Sequence, residues 1–449
     1  MEGLMQMAYT LGSLFDGSGG FPLAGSLCGI EPKWAAEIEP YPIAVTRSRF
    51  PDMKHLGSVT EINGAEIEPV DIITFGSPCQ DLSVAGKRAG LKHEANGDDE
   101  TTRSGLFMEA VRIIKEMREA TNGEYPKFAL WENVPGAFSS NKGEDFRTVL
   151  AELIGIVEPN TTMPPVPKGG WAFADCYRGD GWSLAYRVFD AQYWGVPQRR
   201  RRIHLVFHLT GGRAGDVLFE REGVRGYSAA CGAPGQGVAS DSQGGSAADD
   251  CEGAVPYTLK VRTGCAVDSA GKAAGKGALI QTDKAATLAV TQDQYLFQPV
   301  YSMKSIARNG KALMEQTNPI CACDYKDPDI VAVPTEDESV RYIVRRLTPI
   351  ECARLQGFPD MWGYPDRKED FTDEEYDFWW DVRDTHAAVN GRPSKGYTKE
   401  QMLKWYHGLH TDSAEYKMWG NGIALPPALY CMQGIAEALN REEAEEWMY

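Results

Sequence analysis

The sequence has 449 residues, 43% of them hydrophobic and 24% charged, which is the composition of a soluble globular protein with space for more than one domain. It has no apolar run as long as a membrane span and no N-terminal basic segment followed by an apolar one, so we expect a cytoplasmic protein with no membrane partner. The ten cysteines show no spacing that predicts a metal site, and the net charge of −17 does not exclude nucleic acid because arginines cluster at 199–202.

The first predicted element is a strand over residues 8–15 that runs into a glycine-rich turn, DGSGG at 16–20. Helical spacing follows over 22–28, with Gly29 as the predicted cap. This order predicts the first βα unit of a nucleotide-binding sheet, in which the glycines let a ligand approach the backbone closely. The glycine spacing differs from the dinucleotide fingerprint, which disfavours a nicotinamide oxidoreductase. A purely structural turn is the alternative interpretation.

A second strand is predicted over residues 33–39, and Pro40 begins the next helix. An acidic side chain at the tip of this strand is placed to accept hydrogen bonds from a ribose. Glu37 or Glu39 would take this role, and the alternative is that both are solvated charges.

The third predicted strand, residues 70–75, leads through Gly76 into Ser77, Pro78, Cys79 and Gln80. Because α/β sheets place their chemistry at the carboxyl ends of parallel strands, Cys79 is a candidate nucleophile, with a buried structural cysteine as the alternative. The polar stretch 84–102 is predicted to be a mobile lid, and a helix with one apolar face follows from residue 104.

A further buried strand over 128–131 ends in Glu132, whose carboxylate is expected in the same ligand-facing row as Cys79. A late strand pair, 183–190 and 202–209, flanks the basic run at 199–202. From 211 to 340 the helical periodicity disappears and short β-type runs, such as 257–261 and 286–290, alternate with turns. An acidic, tryptophan-containing insertion and a final amphipathic helix over 426–439 complete the chain.

Taken together, these segments resemble the cytosine-5 DNA methyltransferase family of bacteria and phages. The resemblance rests on an ordered set of motifs: FDGSGGF at 15–21, SPCQ at 77–80, RSGLF at 103–107, WENV at 131–134, Gln198 with Arg200 and Arg202, RLTP at 346–349, Glu351, RLQGFP at 354–359 and GN at 420–421. Each motif alone is modest, but the set in this order is specific.

The resemblance implies a doubly wound, Rossmann-like α/β methyltransferase sheet with a separate loop-rich target recognition domain. Residues 1–210 would form the catalytic domain, and 211–360 the target recognition domain with a return segment. Residues 361–415 would be the acidic insertion, and 416–449 would complete the catalytic domain.

The implied reaction is methyl transfer from S-adenosyl-L-methionine to C5 of a flipped-out cytosine in a specific duplex DNA sequence, through a covalent bond from Cys79 to C6. The implied catalytic residues are Cys79, Glu132, Gln198, Arg200 and Arg202. The implied cofactor-binding residues are Phe15, Asp16, Gly17, Gly19, Glu37, Ile38, Pro78, Leu106 and Asn421. No metal is implied.

The family match further implies a monomer acting on double-stranded DNA in a bacterium or a phage-infected cell, with a cognate restriction endonuclease as a candidate partner. The alternative is an RNA cytosine-5 methyltransferase of the tRNA-modifying branch, which would not need a recognition region as long as 211–340. A non-catalytic DNA-binding relative is disfavoured because Cys79 and Glu132 are both present.

Overall fold

The fold was analysed in a computed structural model, which describes residues 9–77, 105–219, 257–260, 279–282, 285–286, 294–301, 340–392 and 395–446. Pro78, Cys79 and the predicted lid at 84–102 lie outside the described residues. Among the described residues, no helix combines the length and the apolar character needed to cross a bilayer.

The described strands and helices follow one another from a parallel α/β beginning to a helical end. The strands are β1 Thr10–Leu14, β2 Glu31–Ala36, β3 Lys54–His55, β4 Ile72–Phe75, β5 Phe128–Asn133, β6 Ala174–Gly179, β7 Trp182–Asp190, β8 Gln198–Arg199, β9 Arg201–His208, β10 Tyr257–Lys260, β11 Leu279–Thr282, β12 Ala285–Ala286, β13 Gln294–Tyr301 and β14 Val340–Arg346. The helices are α1 Gly20–Leu27, α2 Pro40–Arg49, α3 Gly105–Ala120, α4 Glu144–Ile154, α5 Ala214–Leu218, α6 Pro349–Gln356, α7 Asp373–Val389, α8 Lys399–His407, α9 Asp412–Asn421 and α10 Leu425–Glu446.

The main sheet has the strand order β3-β2-β1-β4-β5-β9-β7-β6. Strands β3, β2, β1, β4 and β5 are parallel, β9 is antiparallel to both of its neighbours, and β6 is antiparallel to β7. The chain therefore builds outward from β1 to β3, returns, and continues from β4 on the other side. This is a doubly wound, Rossmann-like sheet, and the predicted fold class is confirmed.

Both faces of the sheet are covered by helices, so its central strands are apolar on both sides. On β5, Phe128 and Leu130 lie in one core, together with side chains of α1, α6 and α10. Ala129 and Trp131 lie in the opposite core, with side chains of α3 and α4. Burial on both faces explains why these strands read as continuous apolar runs in the sequence.

Several elements begin or end a few residues from the predicted bounds, and two differences from the sequence-based expectation are informative. Strand β2 ends at Ala36 rather than at residue 39, because the Glu37 carboxylate accepts the backbone N–H groups of Ile38 and Glu39 and turns the chain towards α2. Strand β6 was not predicted; it lies at the edge of the sheet with mostly exposed side chains, and so lacks the apolar pattern of a buried strand.

A second, antiparallel sheet has the order β11-β10-β13-β14, and β12 pairs with β8. The predicted β run at 257–261 is confirmed over Tyr257–Lys260, whereas of the run at 286–290 only Ala286 falls in a strand and the rest lies outside the described residues. Strand β14 leads directly to Leu347 and α6, which pack in the core of the main sheet. The domain boundaries given above remain a prediction.

The acidic insertion folds as α7 and α8, each of which begins with a capping box. Its buried side chains Trp379, Val382 and Met402 pack against Ile43 and Ala44 of α2. The tryptophan-containing insertion therefore packs on the helix that follows β2.

Candidate functional site

The register of the parallel strands brings four chain turns to one edge of the main sheet. Leu14 pairs with both Ala36 and Phe75, and Phe75 pairs with Trp131. The residues that follow this row are Phe15, Glu37, Gly76 and Glu132. The edge predicted to bind ligand therefore carries the glycine turn, the acidic tip of β2, the approach to Pro78 and Cys79, and the end of β5.

The glycine turn is held in an unusual backbone conformation. Phe15 has a φ of 57°, in the left-handed region that non-glycine residues rarely adopt, and Gly17 and Gly19 follow with φ of 56° and 74°. A Cβ at Gly19 would lie 2.9 Å from the Thr46 side chain. Backbone strain of this kind is concentrated at ligand sites.

Asp16, in the same turn, has a buried carboxyl group, and one of its two oxygens accepts a hydrogen bond. The Ser13 hydroxyl donates to Asp16 Oδ1 at 2.7 Å, while Asp16 Oδ2 has no hydrogen-bond partner among the described residues. Burial raises the pKa of Asp16 to about 7, with a smaller contribution from the Glu37 charge. A cation placed beside Oδ2 would favour the ionised carboxylate.

Glu37 joins the tip of β2 to the glycine turn. Its Oε2 accepts the Gly17 N–H at 2.8 Å, and its Oε1 accepts the N–H groups of Ile38 at 2.8 Å and Glu39 at 2.9 Å. Burial raises the pKa of Glu37 above its ordinary value, although the three backbone hydrogen bonds oppose this shift. The carboxylate is thereby fixed at the edge of the sheet.

Ser77, the last described residue before Pro78 and Cys79, is buried and held by two side chains of the β5 segment. Trp131 Nε1 donates to Ser77 Oγ at 3.2 Å, and Asn133 Nδ2 donates to the Ser77 carbonyl oxygen at 3.2 Å. The Asn133 amide oxygen in turn accepts the Val134 N–H at 2.7 Å. The chain therefore enters the Pro78-Cys79 segment from a fixed point.

Glu132 and Arg202 form an ion pair at the same edge. Arg202 Nε lies 3.1 Å from Glu132 Oε1, and both side chains are mostly buried, with exposed fractions of 15% and 10%. The contact is not aligned as a hydrogen bond, and within the part of the chain that the structure describes Glu132 Oε1 has no hydrogen-bond partner. A Cβ at Gly76 would lie 3.7 Å from Glu132 Oε2, which places this carboxylate beside the end of β4.

Arg200 links this edge to the C-terminal part of the chain. Its buried guanidinium donates to the Gly422 carbonyl oxygen, and its backbone N–H donates to Asp190 Oδ1 at 3.1 Å. A Cβ at Gly422 would lie 2.8 Å from Ser18 Oγ, so the end of α9, where exposed Asn421 lies, packs against the glycine turn.

Gln198 and Leu106 stand apart from these contacts. Gln198 is fully buried, and neither atom of its side-chain amide has a hydrogen-bond partner among the described residues. Leu106 is half-buried at the beginning of α3 and packs against the core on that face of the sheet.

The structure thus brings five of the predicted cofactor-binding residues together where β1 and β2 end: Phe15, Asp16, Gly17, Gly19 and Glu37. The end of α9, with Asn421, packs against them. Glu132 and Arg202 form a second group a few strands away, next to the approach to Pro78 and Cys79. Sequence reasoning missed the contacts of Ser77 with Trp131 and Asn133, and the role of Asp190. The WENV motif contained the signal for Asn133, because a buried amide next to a functional acid must find hydrogen-bond partners.

Comparison with known proteins gives matches to methyltransferases. Residues 9–156 and 268–376, more than half of the chain, match the family described as C-5 cytosine-specific DNA methylase. A DNA N-6-adenine-methyltransferase of Escherichia phage P1 is 28% identical over 96% of this chain, which spans 62% of that protein, less than two thirds of its length. The type II methyltransferase M1.ScrFI of Lactococcus lactis subsp. cremoris is 27% identical over 80% of this chain and 71% of its own.

Among solved structures, the S. pombe Dnmt2 methyltransferase is similar with a TM-score of 0.49 and 14% identity, covering 96% of this chain and 99% of its own.

Proposed function

The chain belongs to the C-5 cytosine-specific DNA methylase family, and from that premise we propose that it transfers a methyl group from S-adenosyl-L-methionine to C5 of a cytosine in duplex DNA. The observation that supports this most directly is the buried Glu132–Arg202 pair, which lies at the end of β5 beside the chain entering Pro78 and Cys79. An acid and an arginine at the sheet edge, with a cysteine two residues after Ser77 in the sequence, are the groups that activation of a pyrimidine ring requires.

The chemistry assigns a task to each group. C5 of cytosine is a poor nucleophile until a thiolate adds to C6, so the Cys79 sulfur would form a bond to C6 as the ring takes a proton at N3. Glu132 would hold or supply that proton. This converts the ring to an enamine whose C5 accepts the methyl group. S-adenosyl-L-homocysteine is the leaving group of that transfer. Loss of the C5 proton to a base then expels the Cys79 thiolate, and return of the N3 proton to Glu132 restores the aromatic ring.

Arg202 and Arg200 would hold the Glu132 carboxyl group and the target cytosine in the correct relative position. Arg202, already against the Glu132 carboxylate, has further N–H groups with which to bind the cytosine O2. Arg200 would support the pocket wall through Gly422, and the buried Gln198 amide would add polar groups behind it. N3, O2 and C6 of a stacked, paired cytosine are out of reach, so the reaction requires base flipping.

The residues around the glycine turn fit S-adenosyl-L-methionine, which supplies a methyl group made electrophilic by a positive sulfur. The buried Asp16 Oδ2, to which no described residue donates a hydrogen bond, suits the ammonium group of an amino acid, and the left-handed turn leaves the backbone accessible to a ligand. The residues that would hold the donor are Phe15, Asp16, Gly17, Gly19, Glu37, Ile38, Pro78, Leu106 and Asn421.

The region 211–360 would read the DNA sequence. Its antiparallel strands form a sheet of their own, and β12 joins that region to β8 beside the basic run. A recognition region of this length favours duplex DNA over the RNA substrate of the tRNA-modifying branch.

The name of the phage P1 relative raises adenine N6 as a second candidate target. An exocyclic amine attacks the methyl donor directly and has no use for a nucleophilic cysteine, so the family match, with SPCQ and WENV in order, favours cytosine. The match also leaves more than a third of the phage P1 protein uncovered.

The deciding experiment expresses the chain in a host that lacks DNA methylation, digests the host DNA and RNA separately to nucleosides, and measures 5-methylcytosine and N6-methyladenine in each by mass spectrometry. We expect 5-methylcytosine with the wild-type chain and none with Cys79→Ser, because a serine hydroxyl remains protonated and is a weak nucleophile. N6-methyladenine alone, or methylcytosine confined to RNA, would contradict the proposal. Bisulfite sequencing of the same DNA gives the target motif.

A further inference from the structure

The basic run at 199–202 is divided between two faces of the chain. Arg200 is buried and Arg202 mostly buried, whereas Arg199 and Arg201 are exposed. Successive side chains of a strand point to opposite sides, so Arg201 faces away from the Glu132–Arg202 pair. The proposed reaction assigns roles to the buried arginines, Arg200 and Arg202, but not to the exposed ones, Arg199 and Arg201.

Arg201 is held in place by an exposed aromatic ring. Its guanidinium carbon lies 4.8 Å from the centroid of the Phe173 ring, and Phe173 is 60% exposed. Stacking covers one face of a guanidinium and leaves its N–H edge available for an anion. Among the described residues, no carboxylate lies within ion-pair distance of Arg201, although the chain carries 63 acidic residues.

The position of Arg201 matters as much as its charge. Its backbone pairs with Asp190 at the end of β7, and the neighbouring Arg199 pairs with Ala286 of β12. The outward arginines therefore occupy the stretch that connects the Glu132–Arg202 pair to the proposed recognition region. A duplex that is read by that region and delivers a base to Glu132 must pass this stretch.

We propose that Arg201, oriented by Phe173, binds a backbone phosphate of duplex DNA next to the target cytosine. The inference rests on the proposed function and adds a substrate contact outside the base pocket. A guanidinium edge matches a phosphate in charge and in hydrogen-bond geometry, and binding a phosphate releases condensed counterions from the DNA. In a chain with a net charge of −17, such a local cation is needed to offset repulsion of the DNA.

The test compares Arg201→Gln and Phe173→Leu with a matched control, Arg383→Gln. Arg383 also stacks on an exposed part of the surface, with its guanidinium carbon 3.7 Å from the Tyr397 ring, but it lies on the acidic insertion. Affinity for a labelled duplex carrying the mapped motif is measured by fluorescence anisotropy over a series of potassium chloride concentrations.

We expect Arg201→Gln to weaken duplex binding by roughly five- to tenfold at moderate salt and to reduce the slope of log affinity against log salt by about 0.9, the loss of one phosphate contact. Phe173→Leu should weaken binding less, because leucine keeps apolar bulk but offers no ring face. Arg383→Gln should match the wild-type protein, and binding of S-adenosyl-L-homocysteine should be the same in all four proteins.

An unchanged salt slope in Arg201→Gln, or an equal change in Arg383→Gln, would overturn this inference alone while wild-type binding and methylation stand. A wild-type protein that neither binds the duplex nor methylates it would overturn the proposed function together with this inference.

Discussion

The side-chain amide of Asn133 donates to the backbone carbonyl oxygen of Ser77 at 3.2 Å, across the two central strands of the sheet. Asn133 follows the proposed acid directly, and Ser77 stands two residues before the proposed nucleophile. One buried amide therefore ties the end of β5, which carries the proposed acid, to the residue from which the chain continues to the proposed nucleophile.

This relationship predicts the effect of Asn133→Asp. The substitution keeps the shape but replaces the N–H donor by an acceptor next to the Ser77 carbonyl, so the start of the Pro78-Cys79 segment should move. We expect kcat to fall by roughly a hundredfold, which is the usual consequence of a displacement of about 1 Å in a catalytic group. Tritium transfer from labelled S-adenosyl-L-methionine measures kcat. Trp131→Phe, which removes the other bond to Ser77 but keeps a ring, should have a smaller effect.

Glu132→Gln separates proton transfer from binding. Glutamine keeps the size of the side chain but cannot supply a proton to N3, so we expect the rate to fall by roughly 10²–10⁴-fold. In the presence of S-adenosyl-L-methionine, duplex DNA containing 5-fluorocytosine should trap the enzyme through Cys79, because after methyl transfer the fluorine at C5 cannot leave as the proton does. Denaturing gels should show slow trapping in Glu132→Gln and none in Cys79→Ser. Full activity in Glu132→Gln would mean that the N3 proton has another source.

Asp16→Asn tests whether the buried carboxyl binds the methyl donor. Burial raises the pKa of Asp16 to about 7, so in the free protein ionisation opposes folding as the pH rises from about 4 through 7. The asparagine variant should therefore unfold at a higher temperature than the wild type at pH 8, with the difference vanishing near pH 4. The ammonium of the donor favours the ionised form, so calorimetry should show wild-type affinity rising between pH 6 and 8.

The same variant should bind the donor about tenfold more weakly at pH 8, the loss of one charge-assisted hydrogen bond, and its affinity should depend less on pH. Ser13→Ala is the matched control, because it removes the partner of Oδ1 and leaves Oδ2 in place. Equal affinity in Asp16→Asn and the wild type would contradict the assignment of Asp16 to the ammonium group.

Glu39→Gln tests whether the acidic insertion supports the donor site. Glu39 accepts from Lys417 Nζ at 2.8 Å and lies 3.7 Å from His386 Nε2 of α7, while its own N–H donates to Glu37. His386 and then Lys417 lower the pKa of Glu39 to about 2. Because its side chain is 34% exposed, we expect a loss of under about 1 kcal/mol at pH 7, which diminishes as the pH falls from about 4.5 towards 2.

The informative readout for Glu39→Gln is kinetic. We expect KM for the methyl donor to rise a few-fold with kcat unchanged, because the loop that carries Glu37 loses a support. Asp373→Asn, which removes an exposed ion pair with Lys399 elsewhere on the insertion, should leave KM unchanged. A change in kcat without a change in KM would argue against this function of the insertion.

Much of the sheet could be predicted because parallel strands buried on both faces leave unbroken apolar runs. For this reason the predicted bounds of β4 and β5 agree with the structure to within two residues, and the glycine turn lies between β1 and α1 as expected. Local sequence patterns do not indicate which distant segments of the chain come into contact at the site. The contact of Arg200 with Gly422 joins residues 222 positions apart, and no periodicity indicates it.

The end of β2 shows a different limit of sequence reasoning. The sequence around Glu37 fits either a strand or a turn. The turn forms because the Glu37 carboxylate accepts three backbone N–H groups at once. Strand β6 was missed because hydrogen bonding to β7, rather than burial of its side chains, defines it. The site residues Pro78 and Cys79 lie outside the described residues, so their assignment rests on the motif and the family.

The glycine turn near the start of the chain is packed by residues near its end. A Cβ at Gly20 would lie 2.5 Å from the Ile423 side chain, Trp362 Nε1 donates to the Ser18 carbonyl oxygen at 2.8 Å, and Tyr9 donates to Asn440 Oδ1 at 3.1 Å. During translation, the turn therefore gains these neighbours only after the C-terminal helices have left the ribosome. Long-range closure of this kind also slows folding, so a chain on a ribosome stalled before residue 423 would carry the glycine turn, the proposed methyl-donor site, without these packing partners.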